Sequence, residues 1–85
     1  SDLNNAKTAY QGALNKINLQ ERNLGVYTKQ FEVTKQLYDL GKTTAFELRQ
    51  AQEQLIQAKN ELFLAKKQAK IQEIELLRLS GKLIS

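Results

Sequence analysis

The sequence of 85 residues contains no cysteine, histidine, proline, methionine or tryptophan. Without cysteine there is no disulfide and no thiolate metal site, and the chain is compatible with an oxidising compartment. Without histidine the commonest general base and the commonest metal ligand are missing. No cofactor, no metal and no enzymatic activity are expected. The absence of proline removes the strongest helix breaker and points to long uninterrupted helices. No apolar run approaches the roughly 18 residues that a membrane-spanning helix needs, so this segment is not itself expected to insert into a bilayer. A start at Ser1 without methionine, and without a signal peptide, reads as a fragment of a larger protein.

Turn signals are equally scarce. The one strong signal is Tyr38-Asp39-Leu40-Gly41-Lys42-Thr43-Thr44-Ala45-Phe46-Glu47. Gly41 can take the left-handed conformation that closes a helix, because it has no Cβ to clash. Thr44 and Glu47 have capping-box spacing. The Thr44 hydroxyl can accept a bond from a free amide of a new helix, and the Glu47 carboxylate can reach back to the Thr44 N–H. A stop and a start so close together fold the chain back on itself. The expected fold is all-α: an antiparallel two-helix coiled-coil hairpin, with helices over about 3–40 and 45–80 and a tip at 41–44.

Asp2 is the expected N-cap of the first helix. A heptad then runs without a slip. Leu3, Tyr10, Ile17, Leu24, Phe31 and Tyr38 occupy a, and Ala6, Ala13, Gln20, Tyr27 and Thr34 occupy d. A repeat of seven kept this long defines a coiled-coil seam. Leu19, Val26, Val33 and Leu40 recur at the c position, with Leu37 beside them, well away from that seam. One partner requires one stripe, so a second stripe implies a second neighbour. Gly12 and Gly25 each cost about 1 kcal/mol against alanine in a helix; they read as tolerated surface positions, or as places where another backbone comes close.

The second helix carries Leu48, Leu55, Leu62, Ala69 and Leu76 at a, and Ala51, Ala58, Ala65, Gln72 and Leu79 at d. Alternating leucine and alanine lets two axes approach closely. Folding back near Lys42 and Thr43 sets Tyr27 near Ala58 and Phe31 near Leu55, large against small in the first case. Ile56, Phe63, Leu64, Ile71, Ile74 and Leu77 form further apolar positions that cannot all enter the same seam. Wet stripes of this kind mark partner surfaces. The expected interface residues are therefore Leu19, Val26, Val33, Leu40, Ile56, Phe63, Ile74 and Leu77, and an isolated hairpin is expected to self-associate through them. The second helix is expected to end at Ser80, with Gly81 as its closing residue and Arg78 near the negative end of the macrodipole.

The formal net charge of +4 is interspersed with acids and amides and reads as a solvated face. Lys59, Lys66, Lys67 and Lys70 make a basic stretch, but they alternate with Gln and Glu and lack a series of aromatics to stack successive bases. No nucleic-acid partner is expected on this ground. Glu73 and Glu75, two apart, do not face each other. The six aromatics fall in the seams, in an outer stripe or at the tip, and read as packing residues.

The tip segment through Leu48 resembles the TolC-like outer-membrane efflux proteins, exit ducts of bacterial tripartite efflux pumps and type I secretion systems. The likeness extends to Ala51-Gln52 and the Leu55, Ala58, Leu62, Ala65 series that follows, and to the closing Leu76-Leu77-Arg78-Leu79-Ser80-Gly81. It covers nearly the whole chain. The resemblance implies a segment of a trimeric periplasmic α-barrel in which hairpins stand side by side. It also implies a tip at the periplasmic entrance, formed by Tyr38, Gly41, Lys42, Thr43 and Thr44, where a periplasmic adaptor (membrane fusion) protein docks and where the duct is gated. Gly41 and Thr44 match the tip pattern, and Tyr38 matches an aromatic of the closed entrance. The pattern departs at Thr43, where a member's closing network has an arginine. Two other functions are compatible with a basic coiled-coil hairpin: the α-hairpin of an adaptor protein, whose tip usually carries Arg-Leu and Ser, and an RNA-binding arm.

Overall fold

The computed structural model describes residues 2–84. Two helices account for nearly all of them: α1, Asp2–Asp39, and α2, Ala45–Ile84. They lie antiparallel in a rod of 66 × 14 × 13 Å. Its radius of gyration is 19.0 Å, against about 12 Å for a compact domain of this length. The accessible surface is 6454 Å², roughly a quarter more than the ~5,100 Å² expected of a compact monomer of the same mass. A rod two helices wide has only one internal seam, and most of its surface remains wet.

That seam follows the heptads. Among the described residues the most deeply buried are six alanines: Ala6 and Ala13 from α1, and Ala51, Ala58, Ala65 and Ala69 from α2. Every other a and d position is half-buried, except Tyr38. Leucines and aromatics cannot be fully covered by one neighbour, whereas an alanine Cβ can. Small residues on α2 let the axes close up, and the large residues of α1 spread over them. Tyr27 and Ala58 line one shallow groove beside the seam, and Thr34 and Ala51 line another, which is the pairing expected of a fold-back near Thr43. Gly12 and Gly25 are surface positions, since a Cβ built on either meets no atom within 4 Å.

Three details differ from the sequence-based expectation. Helix α1 begins at Asp2, so Asp2 supplies an acidic side chain to the first turn rather than a cap outside it. Helix α2 runs on to Ile84, and Gly81 is helical rather than a closing residue. Gly41 is the one described glycine with positive φ; a glycine inside a helix costs about 1 kcal/mol but does not force an end. Tyr38, placed in the seam, is 41% exposed; it lies in the last turn of α1, level with the first turn of α2, where the seam ends.

Candidate functional site: the tip and the outer edges

The tip is built from two caps in direct succession. Gly41 sits at φ +72°, beyond the reach of most side-chain-bearing residues. This conformation turns two amides back onto the end of α1. The Gly41 N–H donates to the Tyr38 carbonyl at 2.9 Å and the Lys42 N–H to the Leu37 carbonyl at 2.8 Å. These are the two bonds of a Schellman motif. Helix α2 then opens on Thr44. The Glu47 N–H donates to Thr44 Oγ1 at 3.1 Å, and the Leu48 N–H donates to the Thr44 carbonyl at 3.1 Å, the first turn of the new helix.

Only half of the expected capping box forms. The Glu47 carboxylate accepts from the Thr43 hydroxyl instead of reaching the Thr44 N–H. Thr43 and Glu47 are four residues apart and can meet on one face as the chain enters the helix. The bond ties the reversal to the first turn of α2. It also changes what the tip offers. Thr43 is half-buried with its hydroxyl engaged, whereas Lys42, Thr44 and Phe46 are exposed, Phe46 by 71%. Of the expected tip residues, Thr43 is therefore less available to a partner than Lys42. The protruding aromatic at the tip is Phe46, with Tyr38 beside it in exposure. The alternating apolar pattern did not single out Phe46, since it belongs to neither seam nor stripe.

The outer stripes lie where the heptads put them. On α1 and the residue just past its end, Leu19, Val26, Val33 and Leu40 are 52, 62, 45 and 68% exposed. On α2, Ile56, Phe63, Ile74 and Leu77 are 50, 67, 57 and 63% exposed, joined by Leu64 and Ile71. The α1 stripe follows position c and three of these four α2 residues lie at or beside position b, so the hairpin carries apolar side chains along both outer edges. The tip residues and these edges are separate features: the first closes one end of the rod, the second runs along its sides.

Charges line the same surface and form few pairs. Lys70 Nζ lies 3.2 Å from Glu73 Oε1, and Arg78 makes a two-pronged ion pair with Glu75, its Nε donating to Oε2 at 3.1 Å. The hydrogen bond and charge of Glu75 raise the Arg78 pKa further above its ordinary value. Arg78 thus serves a neighbour within α2, not the end of the helix. Exposed pairs of this kind contribute little to stability. Lys59, Lys66 and Lys67 are exposed on the same side of α2 as Phe63, which stands inside the basic stretch.

Among the described residues no group of acidic side chains is placed to hold a metal ion, and no helix is long and apolar enough to cross a membrane. Neither a curated protein nor a solved structure matches the chain significantly. The family described as outer membrane efflux protein matches residues 1–82. A long two-helix rod, closed at one end by paired caps and apolar along both edges, belongs to the outer membrane efflux protein family.

Proposed function

We propose that the hairpin is a wall stave of the periplasmic part of an outer-membrane efflux duct. Membership of the efflux family makes the chain part of a transport protein. The observation that carries the finer reading is the exposure of heptad-spaced apolar residues on both edges of one rod. A stave with a neighbour on each side has that pattern, and a free coiled coil does not need it.

In this reading the parent assembles as a trimer and the stave contributes no chemistry. Its helices bound the path of the exported molecule. Its tip, with Gly41 and Thr44 shaping the reversal, docks the periplasmic adaptor protein. Lys42, Phe46 and Tyr38 are the side chains the tip presents. Gating at the same end follows only in part, because Thr43 is occupied by Glu47 and carries no charge.

The test is made in cells, on the outer-membrane protein that contains the hairpin. Val26→Asp and Phe63→Asp place a charge on each edge, and Glu21→Lys changes an exposed position on the opposite side of α1 from Leu19. The first two abolish the assembled oligomer and dye efflux, and the third leaves both intact. Normal assembly with Val26→Asp and Phe63→Asp would refute the stave reading.

A further inference from the structure

Phe63 is 67% exposed and is surrounded by cations. Lys59 stands four residues before it, and Lys66, Lys67 and Lys70 stand three, four and seven residues after it. These spacings place all four lysines on the side of α2 from which Phe63 projects. Ile56, Phe63, Lys70 and Leu77 repeat every seven residues, and Ile74 fills the gap beside Lys70. The row spans about 31 Å of helix.

We infer that this edge of α2 is a second coiled-coil seam for a helix whose flanking positions are acidic, and that a second copy of this hairpin is not its partner. The inference rests on the reading that the edges are covered by neighbours, and goes beyond it by naming the chemistry of one of them.

The period identifies the partner as a helix. A glycan, a nucleic-acid strand or a bilayer imposes no seven-residue register, whereas a helix lying along α2 does. A nucleic-acid strand would also find one aromatic in this row where base stacking needs several. The charges identify the kind of helix. Lys70 is paired with Glu73 at 3.2 Å, so the charges beside Phe63 that face a partner are Lys59, Lys66 and Lys67. These three are favourable against carboxylates and unfavourable against cations, as at the e and g positions of a coiled coil.

The outer edge of α1 has the wrong sign. In a copy standing alongside with tips level, Arg22 comes opposite Phe63 and Lys29 opposite Ile56, by the register seen within the hairpin. Arg22 and Lys29 are both exposed beside Leu19 and Val26. The carboxylates of that edge, Glu32 and Asp39, lie nearer the tip, level with Glu53 and Phe46. Glu21 is on the opposite side of α1 from Leu19. A copy would therefore set cations against the lysine cluster and an acid against Glu53. A different helix, acidic where α1 is basic, satisfies the same row.

The test uses the 85-residue chain and two synthetic helical peptides of four heptads. Both have leucine seams; one has glutamate and the other lysine at the flanking positions. Binding is followed by fluorescence anisotropy at low and high salt. The glutamate peptide binds roughly tenfold more tightly at low salt, as three exposed charge pairs allow, and the preference fades at high salt. The triple reversal Lys59→Glu, Lys66→Glu, Lys67→Glu inverts the preference, and Phe63→Ser weakens both peptides. Equal binding of the two peptides would overturn the acidic partner while leaving side-by-side packing intact; binding of neither would overturn both. Tighter binding of a dT20 oligonucleotide than of the glutamate peptide would replace the helix with nucleic acid. In sedimentation, self-association of the chain that is strong at low salt and lost in Phe63→Ser would assign the edge to a second copy.

Discussion

The amide of Lys42 donates to the carbonyl of Leu37 at 2.8 Å, and this bond exists because Gly41 between them holds a φ of +72°. The end of α1, the path of the chain and the position from which α2 starts all depend on that one residue. Replacing it tests the tip without touching the seam. Gly41→Ala forces a side chain into the left-handed region and lowers stability by about 1–2 kcal/mol. Gly25→Ala has the opposite sign: a Cβ there meets nothing within 4 Å, and the helix gains about 1 kcal/mol. Thermal unfolding followed by circular dichroism separates the two, and a Gly41→Ala variant as stable as the parent would contradict the closed-cap description.

The start of α2 divides its work between two threonines. Thr44→Ala removes the acceptor for the Glu47 amide and costs about 1 kcal/mol, and Thr44→Ser restores most of it. Thr43→Ala frees the Glu47 carboxylate, which can then take up the Thr44 N–H, so its cost is the smaller of the two. Urea unfolding of the three variants orders them; a larger loss for Thr43→Ala would place the capping function on the wrong threonine.

The fully buried points of the seam tolerate alanine and little else. Ala65 is 3% exposed and Ala58 5%, so Ala65→Leu or Ala58→Leu must push the helix axes apart, costing about 1–3 kcal/mol. Ile56→Ala on the outer edge of the isolated chain changes stability by less than about 0.5 kcal/mol. If Ile56→Ala proved the more damaging in the monomer, the seam would have been assigned to the wrong face.

Self-association of the chain through its edges is weak at low salt and strengthens as salt rises. Apolar stripes favour contact, while Lys59, Lys66 and Lys67 against Arg22 and Lys29 oppose it until they are screened. Sedimentation equilibrium at two ionic strengths measures the trend, and dissociation on adding salt would reverse the assignment of charges to the edges.

The seam was legible because it depends on a period. Seventy-odd residues at one repeat leave no freedom in which side chains meet, and Ala58 with Tyr27 could be paired from the turn alone. The outer stripes were legible for the same reason. The tip was legible where backbone geometry admits one residue type, as at Gly41, and not where two equivalent partners compete. Glu47 had two hydroxyl-bearing neighbours within reach, and spacing alone does not choose between the Thr43 hydroxyl and the Thr44 amide. Gly81 misled because glycine permits a helix end without imposing one; at Gly41 the following Thr44 cap imposed it. Tyr38 keeps the seam phase but lies in the last turn before the seam ends, and the heptad alone does not say how far the end of a seam is covered.

The claim that both edges of this rod are covered in the working protein is tested most directly by spin labels at Val26 and Phe63. Their oxygen and nickel-chelate accessibility is compared between the isolated chain and the assembled outer-membrane protein, with Gln54, half a helix turn away on the broad face, as reference. Both labels become inaccessible on assembly while the reference keeps more of its exposure. Labels at Val26 and Phe63 as accessible in the assembled protein as in the isolated hairpin would contradict the account.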